Sequence, residues 1–270
     1  MDYDFDAKRQ YRDRIVASVD GMLRKPKWLR TVAYLDTKQA LETKRWLAEG
    51  YNPKNLYAIN RSPSEVATLT RRLDSESLPR VNTLGLHFLD ALERVGCQFD
   101  VINFDGTAQV GIKRGLATGD LNGLARFVVA GGVLCVTVLA AREHKNDSAR
   151  VNFGAPAFRS RPQSFRTSFG AGANPSHVRR LQWVARMVTG YNDDALYCVG
   201  HAVKLKWDVY NSASRQPMMW CAVQIARHRV ITNDERRIFD SVGVMPACAI
   251  ANFANAIANG DVRVVREATL

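Results

Sequence analysis

The sequence predicts an α/β fold, built as a doubly wound, mostly parallel sheet of seven strands that ends in an antiparallel hairpin. Three observations carry this prediction. Short apolar runs alternate with helical segments of about ten residues between positions 31 and 139. These runs are apolar on both faces, as strands covered on both sides of a parallel sheet must be. Two longer strand-like runs then flank a turn-forming segment near residues 211–217, which is the pattern of a hairpin.

Taken in order, Phe5 to Leu23 places Ile15, Val16, Val19, Met22 and Leu23 at helical spacing, and Pro26 ends that helix. Thr31 to Asp36 reads as the first buried strand. Gln39 to Glu49 is the helix after it, carrying Leu41, Trp46 and Leu47 on one face, with Gly50 as its C-terminal cap. Asn55 to Asn60 is the second strand. Ser62 then caps a helix from Pro63 to Leu73, with proline at its first position and Glu65 in its first turn. Val81 to Leu84 forms a third strand and His87 to Val95 a helix. Phe99 to Phe104 forms a fourth strand that runs into Asp105-Gly106-Thr107. A helix is expected over Leu121 to Ala130 and a fifth strand over Gly132 to Leu139. Beyond it come an Arg/Ser/Gly/Pro-rich segment at 142–180, a helix from Arg179 to Thr189, the two hairpin strands Leu196 to Tyr210 and Met218 to Arg229, and a helical tail near Ala247 to Ala258. The organisation expected is an N-terminal helical extension (1–30), an α/β domain (31–230) with a basic loop insertion at 142–180, and a helical tail (231–270).

The composition excludes several classes. At 46% hydrophobic residues a full core can form. The longest apolar run, Val128 to Ala141, is too short for a membrane span and is broken by Gly131 and Gly132. The acidic N-terminus does not read as a secretory signal, so a cytoplasmic protein without a membrane partner is expected. Cys97, Cys135, Cys198, Cys221 and Cys248 are widely spaced and mostly lie in apolar runs, which predicts buried free thiols. No cysteine/histidine spacing suits a metal. The net charge of +12 favours polyanions as partners.

Half of that charge lies in the 142–180 segment. There Arg150, Arg159, Arg161, Arg166, Arg179 and Arg180 are interleaved with Phe153, Phe158, Phe165 and Phe169. Cations that hold phosphates beside rings that stack bases are the ingredients of single-stranded nucleic-acid binding. The same residues also suit a loop pinned to the core by its phenylalanines, or one that docks on a partner protein.

Asp36, Asn60 and Asp105 end successive strands on the edge where open α/β sheets bind ligands. Together with five strand–helix units and a terminal antiparallel pair, they make the chain resemble the class I S-adenosylmethionine (AdoMet)-dependent methyltransferases, which are Rossmann-like. Phe99-Asp-Val-Ile-Asn-Phe-Asp105 resembles that family's fourth strand, and Leu124 to Val138 its entry into the fifth. The resemblance covers residues 31–230. It implies AdoMet as cofactor, held by Asp36, Thr37, Glu42, Thr43, Asn60, Arg61, Gly85 and Asp105, with Asp105 and Asn103 at the reacting centre. Two positions depart from the family. The glycine-rich first loop is replaced by Asp36-Thr37 and Leu41-Glu42-Thr43, and the second strand ends in Asn60-Arg61 instead of an acid.

Other chemistries fit less well. Asp105-Gly106-Thr107 resembles part of the haloacid-dehalogenase motif, but Asn103 occupies the nucleophile's position and an amide cannot form an acyl-phosphate. Neither the Asn/Asp-Pro-Pro motif of amino-methylating DNA enzymes nor the Pro-Cys of cytosine-C5 enzymes occurs near the fourth strand. Phe169 to Asn174 holds a Gly-x-Gly that no strand precedes, so it is no dinucleotide fingerprint. The functional expectation is an AdoMet-dependent methyltransferase acting on a nucleic acid (RNA or DNA) or another anionic substrate. Its rival is a non-catalytic protein with the same fold, serving as a nucleic-acid-binding or assembly module.

Overall fold

The computed structural model describes residues 6–106, 124–139, 198–211, 217–230 and 263–266. The basic segment at 142–180, the helix expected over Arg179 to Thr189 and the tail helix over Ala247 to Ala258 lie outside these residues.

A helix α1 (Asp6–Met22) precedes the alternating units β1 (Val32–Leu35), α2 (Leu41–Ala48), β2 (Leu56–Ile59), α3 (Pro63–Ser75), β3 (Asn82–Leu84), α4 (Phe88–Val95), β4 (Phe99–Asp105) and β5 (Val128–Leu139). The long strands β6 (Cys198–Asn211) and β7 (Pro217–Val230) follow, then a short β8 (Arg263–Arg266). The sheet order is β3-β2-β1-β4-β5-β7-β6-β8. Strands β1 to β5 pair in parallel. β7 runs antiparallel to both β5 and β6, so the hairpin inserts its second strand beside the parallel block. The doubly wound sheet and its hairpin are as the sequence predicts. The eighth strand, parallel to β6, lies within residues assigned to the tail and was not expected.

Helix α1 covers the sheet because its buried residues Tyr11, Ile15, Val16, Val19 and Met22 recur every three or four positions. They join Val32 and Tyr34 of β1, Trp46 of α2, Leu69 and Leu73 of α3, Val101 of β4 and Trp220 of β7 in one continuous core. Helix α3 begins as predicted, with the Ser62 hydroxyl accepting from the Glu65 amide and Pro63 in its first turn. Gly50 after α2 takes a positive φ of 82°, and Gly96 caps α4 at φ 69°; both serve as left-handed helix stops.

One prediction is corrected. Val128, Val129 and Ala130 are strand residues of β5, preceded by a 3-10 turn at Leu124–Phe127, and not the end of a helix. Val128 already pairs with Phe99, and the register then shifts before Val133 meets Val101. Gly131 at φ 84° lies within that irregularity. A Cβ on Gly132 would stand 2.7 Å from Val128 and 2.9 Å from the Asp100 carbonyl. The glycine pair therefore serves a shift inside one strand rather than a helix-to-strand turn. Cys135 and Cys221 are buried free thiols as expected, whereas Cys97 is exposed. Among the described residues, no helix is long and apolar enough to cross a membrane.

Candidate functional site

The parallel strands switch direction of winding between β1 and β4, since β1 has β2 on one side and β4 on the other. A crevice outside the carboxyl ends of these two strands is where such sheets receive ligands. Asp36, just past β1, is 4% exposed. Its Oδ1 accepts from the Thr37 amide at 2.8 Å, and its Oδ2 accepts from the Thr43 amide at 2.9 Å and the Thr43 hydroxyl at 2.6 Å. Asp36 thus caps the first turn of α2 from within the chain, a favourable place for a carboxylate. Burial pushes its carboxyl upward, while the Thr43 and Thr37 hydrogen bonds oppose that shift.

The loop from Asp36 to α2 lacks glycine, yet it adopts a glycine-like conformation. Ala40, fully buried, sits at φ 54°, ψ 31°, in the left-handed region. An alanine there carries a steric cost that glycine avoids.

Register places the next residues. Tyr34 of β1 pairs with Asn103 of β4, and Asn103 with Cys135 of β5. Two residues on, Asp105 pairs with Thr137, Thr137 with Trp220, and Trp220 with Asp208. Paired residues share a sheet face, so Asp105, Thr137 and Asp208 form a row on the side covered by α1. Helix α1 meets this row at a spacing of three: Lys8 pairs with Asp105, the Tyr11 hydroxyl bonds the Thr137 hydroxyl, and Arg14 Nη1 meets Asp208 Oδ2 at 2.7 Å. Lys8 also donates to the Tyr210 hydroxyl at 3.4 Å and lies over the Tyr11 ring, which stacks on Tyr210 with centroids 4.9 Å apart.

Glu42 of α2 completes the cluster. Its Oε1 accepts from Arg12 Nε at 3.1 Å and its Oε2 from Asn103 Nδ2 at 3.4 Å. Burial, and next the charge of Asp105, push Glu42 from the ordinary 4.5 up to about 7, although Lys8 and Arg12 pull the other way. Tyr11 and Tyr210 are raised above the ordinary tyrosine value, first by burial and then by the Asp105 carboxylate.

Among the described residues, three buried acceptors in this region have no hydrogen-bond donor: Gln39 Oε1, Asn103 Oδ1 and Asp105 Oδ1. A buried acceptor without a donor is costly, so a donor-bearing group is the natural partner of the three.

The remaining expected residues lie around this centre. Asn60 Nδ2 donates to the Asp36 carbonyl at 2.7 Å, and its Oδ1 accepts from the Ser62 amide at 2.9 Å. Its side chain ties β2 to β1, with one N–H and one lone pair to spare. Arg61 is exposed and Thr37 half-buried. Gly85 follows β3 and packs on Pro63, whose Cα would stand 3.0 Å from a Cβ added there. The structure therefore brings Asp36, Glu42, Thr43, Asn103 and Asp105 together and leaves Thr37, Asn60, Arg61 and Gly85 toward the β2–β3 side. Arg150, Arg159, Arg161, Arg166, Arg179 and Arg180 lie outside the described residues. Sequence reasoning missed Lys8, Tyr11 and Arg12. Their signal is the apolar stripe of α1, which continues toward the N-terminus at the same spacing but in polar residues.

No family model and no curated protein matches the chain. Among solved structures, it is similar to a SAM-dependent methyltransferase from Agrobacterium tumefaciens, with 9% identity over 82% of this chain and 63% of that one and a TM-score of 0.47. It is also similar to the N-methyltransferase NodS from Bradyrhizobium japonicum WM9, with 11% identity, 82% and 98% coverage and a TM-score of 0.45. An rRNA methylase from Streptococcus thermophilus matches with 10% identity, 78% and 96% coverage and a TM-score of 0.41. At such identities nothing of activity transfers. The doubly wound sheet with its inserted antiparallel strand stands on the strand order itself.

Proposed function

We propose that this chain is an AdoMet-dependent methyltransferase that acts on a nucleic acid. The observation that supports this most is the set of buried acceptors without a donor among the described residues, Gln39 Oε1 in the loop after β1 and Asn103 Oδ1 and Asp105 Oδ1 on β4, the two strands at which the sheet switches its winding. Acceptors without donors fit the ammonium end of an amino-acid-bearing cofactor. In this reading Gln39 and Asn103 hold that end and Asp105 stands at the reacting centre, while Thr37, Asn60 and Arg61 lie toward the hydroxyl-bearing part. Asp36, Glu42 and Thr43 shape the loop between them. When bound, AdoMet supplies a methyl group activated on a sulfonium.

The chain's own residues then have separable tasks. Lys8 holds Asp105 through Oδ2, leaving Oδ1 as the atom that accepts a proton from the methyl acceptor. Asn103 donates through Nδ2 to Glu42, which leaves its Oδ1 to accept from the cofactor's ammonium. Alignment of acceptor and donor supplies most of the acceleration such a transfer needs. The arginines at 150, 159, 161, 166, 179 and 180 would hold phosphates of the substrate.

A second reading, a non-catalytic protein of the same fold, is favoured by one observation. The Asp36 carboxylate is already bonded within the chain on both oxygens, Oδ1 to the Thr37 amide and Oδ2 to Thr43 of α2, which leaves fewer free backbone amides at the helix start. Transfer of tritiated methyl from AdoMet to total RNA and to DNA separates the two. The enzyme reading expects incorporation into one of them, reduced at least about 100-fold in Asp105→Asn. Cofactor binding without transfer to either polymer selects the non-catalytic reading.

A further inference from the structure

The amino ends of β1 and β2 carry a second feature that methyl transfer does not use. The segment Arg24-Lys25-Pro26-Lys27-Trp28-Leu29-Arg30 holds four cations and no acid. Its 3-10 turn, Lys27–Leu29, exposes Trp28 by 61% and Leu29 by 52%, the two most exposed large apolar side chains among the described residues. Adjacent exposed apolar side chains rimmed by polar residues are a feature of interaction sites, and an indole offers both an apolar face and a polar N–H.

The turn is held firmly. The Leu29 amide donates to the Pro26 carbonyl at 3.0 Å and the Arg30 amide to the Lys27 carbonyl at 3.1 Å. Asn55 Nδ2, at the start of β2, donates to the Trp28 carbonyl at 3.0 Å. Below the turn, Arg30 is buried and pairs with Asp20 and Tyr51. Lys27 is anchored by Asp20 at 2.7 Å and Glu49 at 2.8 Å, and Lys25 by Asp100 at 2.7 Å. Two exposed cations, Arg24 four residues before Trp28 and Lys54 next to Asn55, have no side-chain partner among the described residues. Paired cations thus hold the turn, and unpaired ones lie on the same two chain segments that carry and brace Trp28.

We infer that Trp28, with Arg24 and Lys54, forms a docking site for single-stranded nucleic acid on the amino edge of the sheet, opposite the crevice at the carboxyl ends. A flat ring stacks an unpaired base, and flanking cations take the adjacent phosphates. A duplex keeps its bases stacked inside and offers the indole no face, so the site selects single strands. This site requires no cofactor.

The test uses the full chain without cofactor and fluorescein-labelled 12-nucleotide oligo(dT) and oligo(U), read by anisotropy across a salt series. Trp28→Ala should weaken binding roughly 5- to 100-fold, and Trp28→Phe should restore part of the loss. Arg24→Ala/Lys54→Ala should lower the slope of log affinity against log salt by about 1.4. These side chains are exposed, so the variants should melt with the wild type. Unchanged oligonucleotide affinity in Trp28→Ala overturns the site. So does equal binding of a 12-base-pair duplex that is insensitive to Trp28, or a change in sedimentation with no change in oligonucleotide binding. The last result would assign the indole to contact between copies of the chain.

Discussion

Lys8 of α1 and Asp105 at the end of β4, 97 residues apart in sequence, form an ion pair in which each side chain is 11% exposed. This contact joins the helix that precedes the sheet to the strand end on which the proposed chemistry depends. Breaking a pair so little exposed leaves one charge without compensation. Lys8→Ala should therefore lower stability by about 3 kcal/mol, measured by urea unfolding. Lys8→Met/Asp105→Asn should recover most of that loss. A double variant as unstable as the single one would show that the pair is not the cause.

The cluster also makes stability depend on pH in a definite direction. Glu42 is raised from 4.5 to about 7 in the folded chain. A raised carboxyl holds its proton more tightly folded than unfolded, so stability is highest below about 4.5 as far as this group is concerned. It falls as pH climbs to about 7 and levels beyond. The full effect is about 3 kcal/mol, with Lys8, Arg12, Asp105 and Asp36 all facing the group. Asp36 is raised as well and acts with the same sign. In Glu42→Gln, unfolding midpoints between pH 5 and pH 8 should vary less than in the wild type. An identical profile would remove Glu42 as the source.

Ala40 marks a place where the loop's conformation and its residue disagree. Its φ of 54° is one glycine adopts without strain. Ala40→Gly should raise stability by about 1 kcal/mol, seen as a higher melting temperature. No gain would mean that the buried methyl group contributes as much by packing as the conformation costs.

Gly132 gives the opposite case. A methyl group there meets Val128, the Asp100 carbonyl and the Val129 carbonyl at 2.7 to 2.9 Å. Two of those neighbours are backbone, which cannot rotate away. Gly132→Ala should cost about 2 to 3 kcal/mol by chemical denaturation. A neutral result would mean that β5 tolerates a different register at its irregularity.

The sheet was legible in the sequence because each parallel strand is an apolar run bounded by turn or cap residues. Ser62-Pro63 and Gly50 act locally and end up where their chemistry predicts. Val128 to Ala130 misled because an apolar run beside two glycines suits a helix end as well as a strand. Only the pairing of Val128 with Phe99 decides between them. Asp36, Asn60 and Asp105 could be nominated as strand-end polar residues, but their partners could not. The spacing of α1 puts Lys8, Tyr11 and Arg12 on its buried face, but their partners Asp105, Thr137 and Glu42 follow from long-range packing that no local pattern encodes. Ala40 stayed hidden for the same reason, since its left-handed conformation follows from Asp36 reaching forward to the Thr43 amide.

The central claim is that unpaired acceptors at the crevice between β1 and β4 await a cofactor that carries a donor. Isothermal titration calorimetry with S-adenosylhomocysteine tests it most directly. The wild type should bind with one site per chain, and Asn103→Ala should bind at least about tenfold more weakly, as expected when a buried hydrogen bond to a charged donor is lost. Absence of any heat of binding at millimolar ligand would contradict the claim.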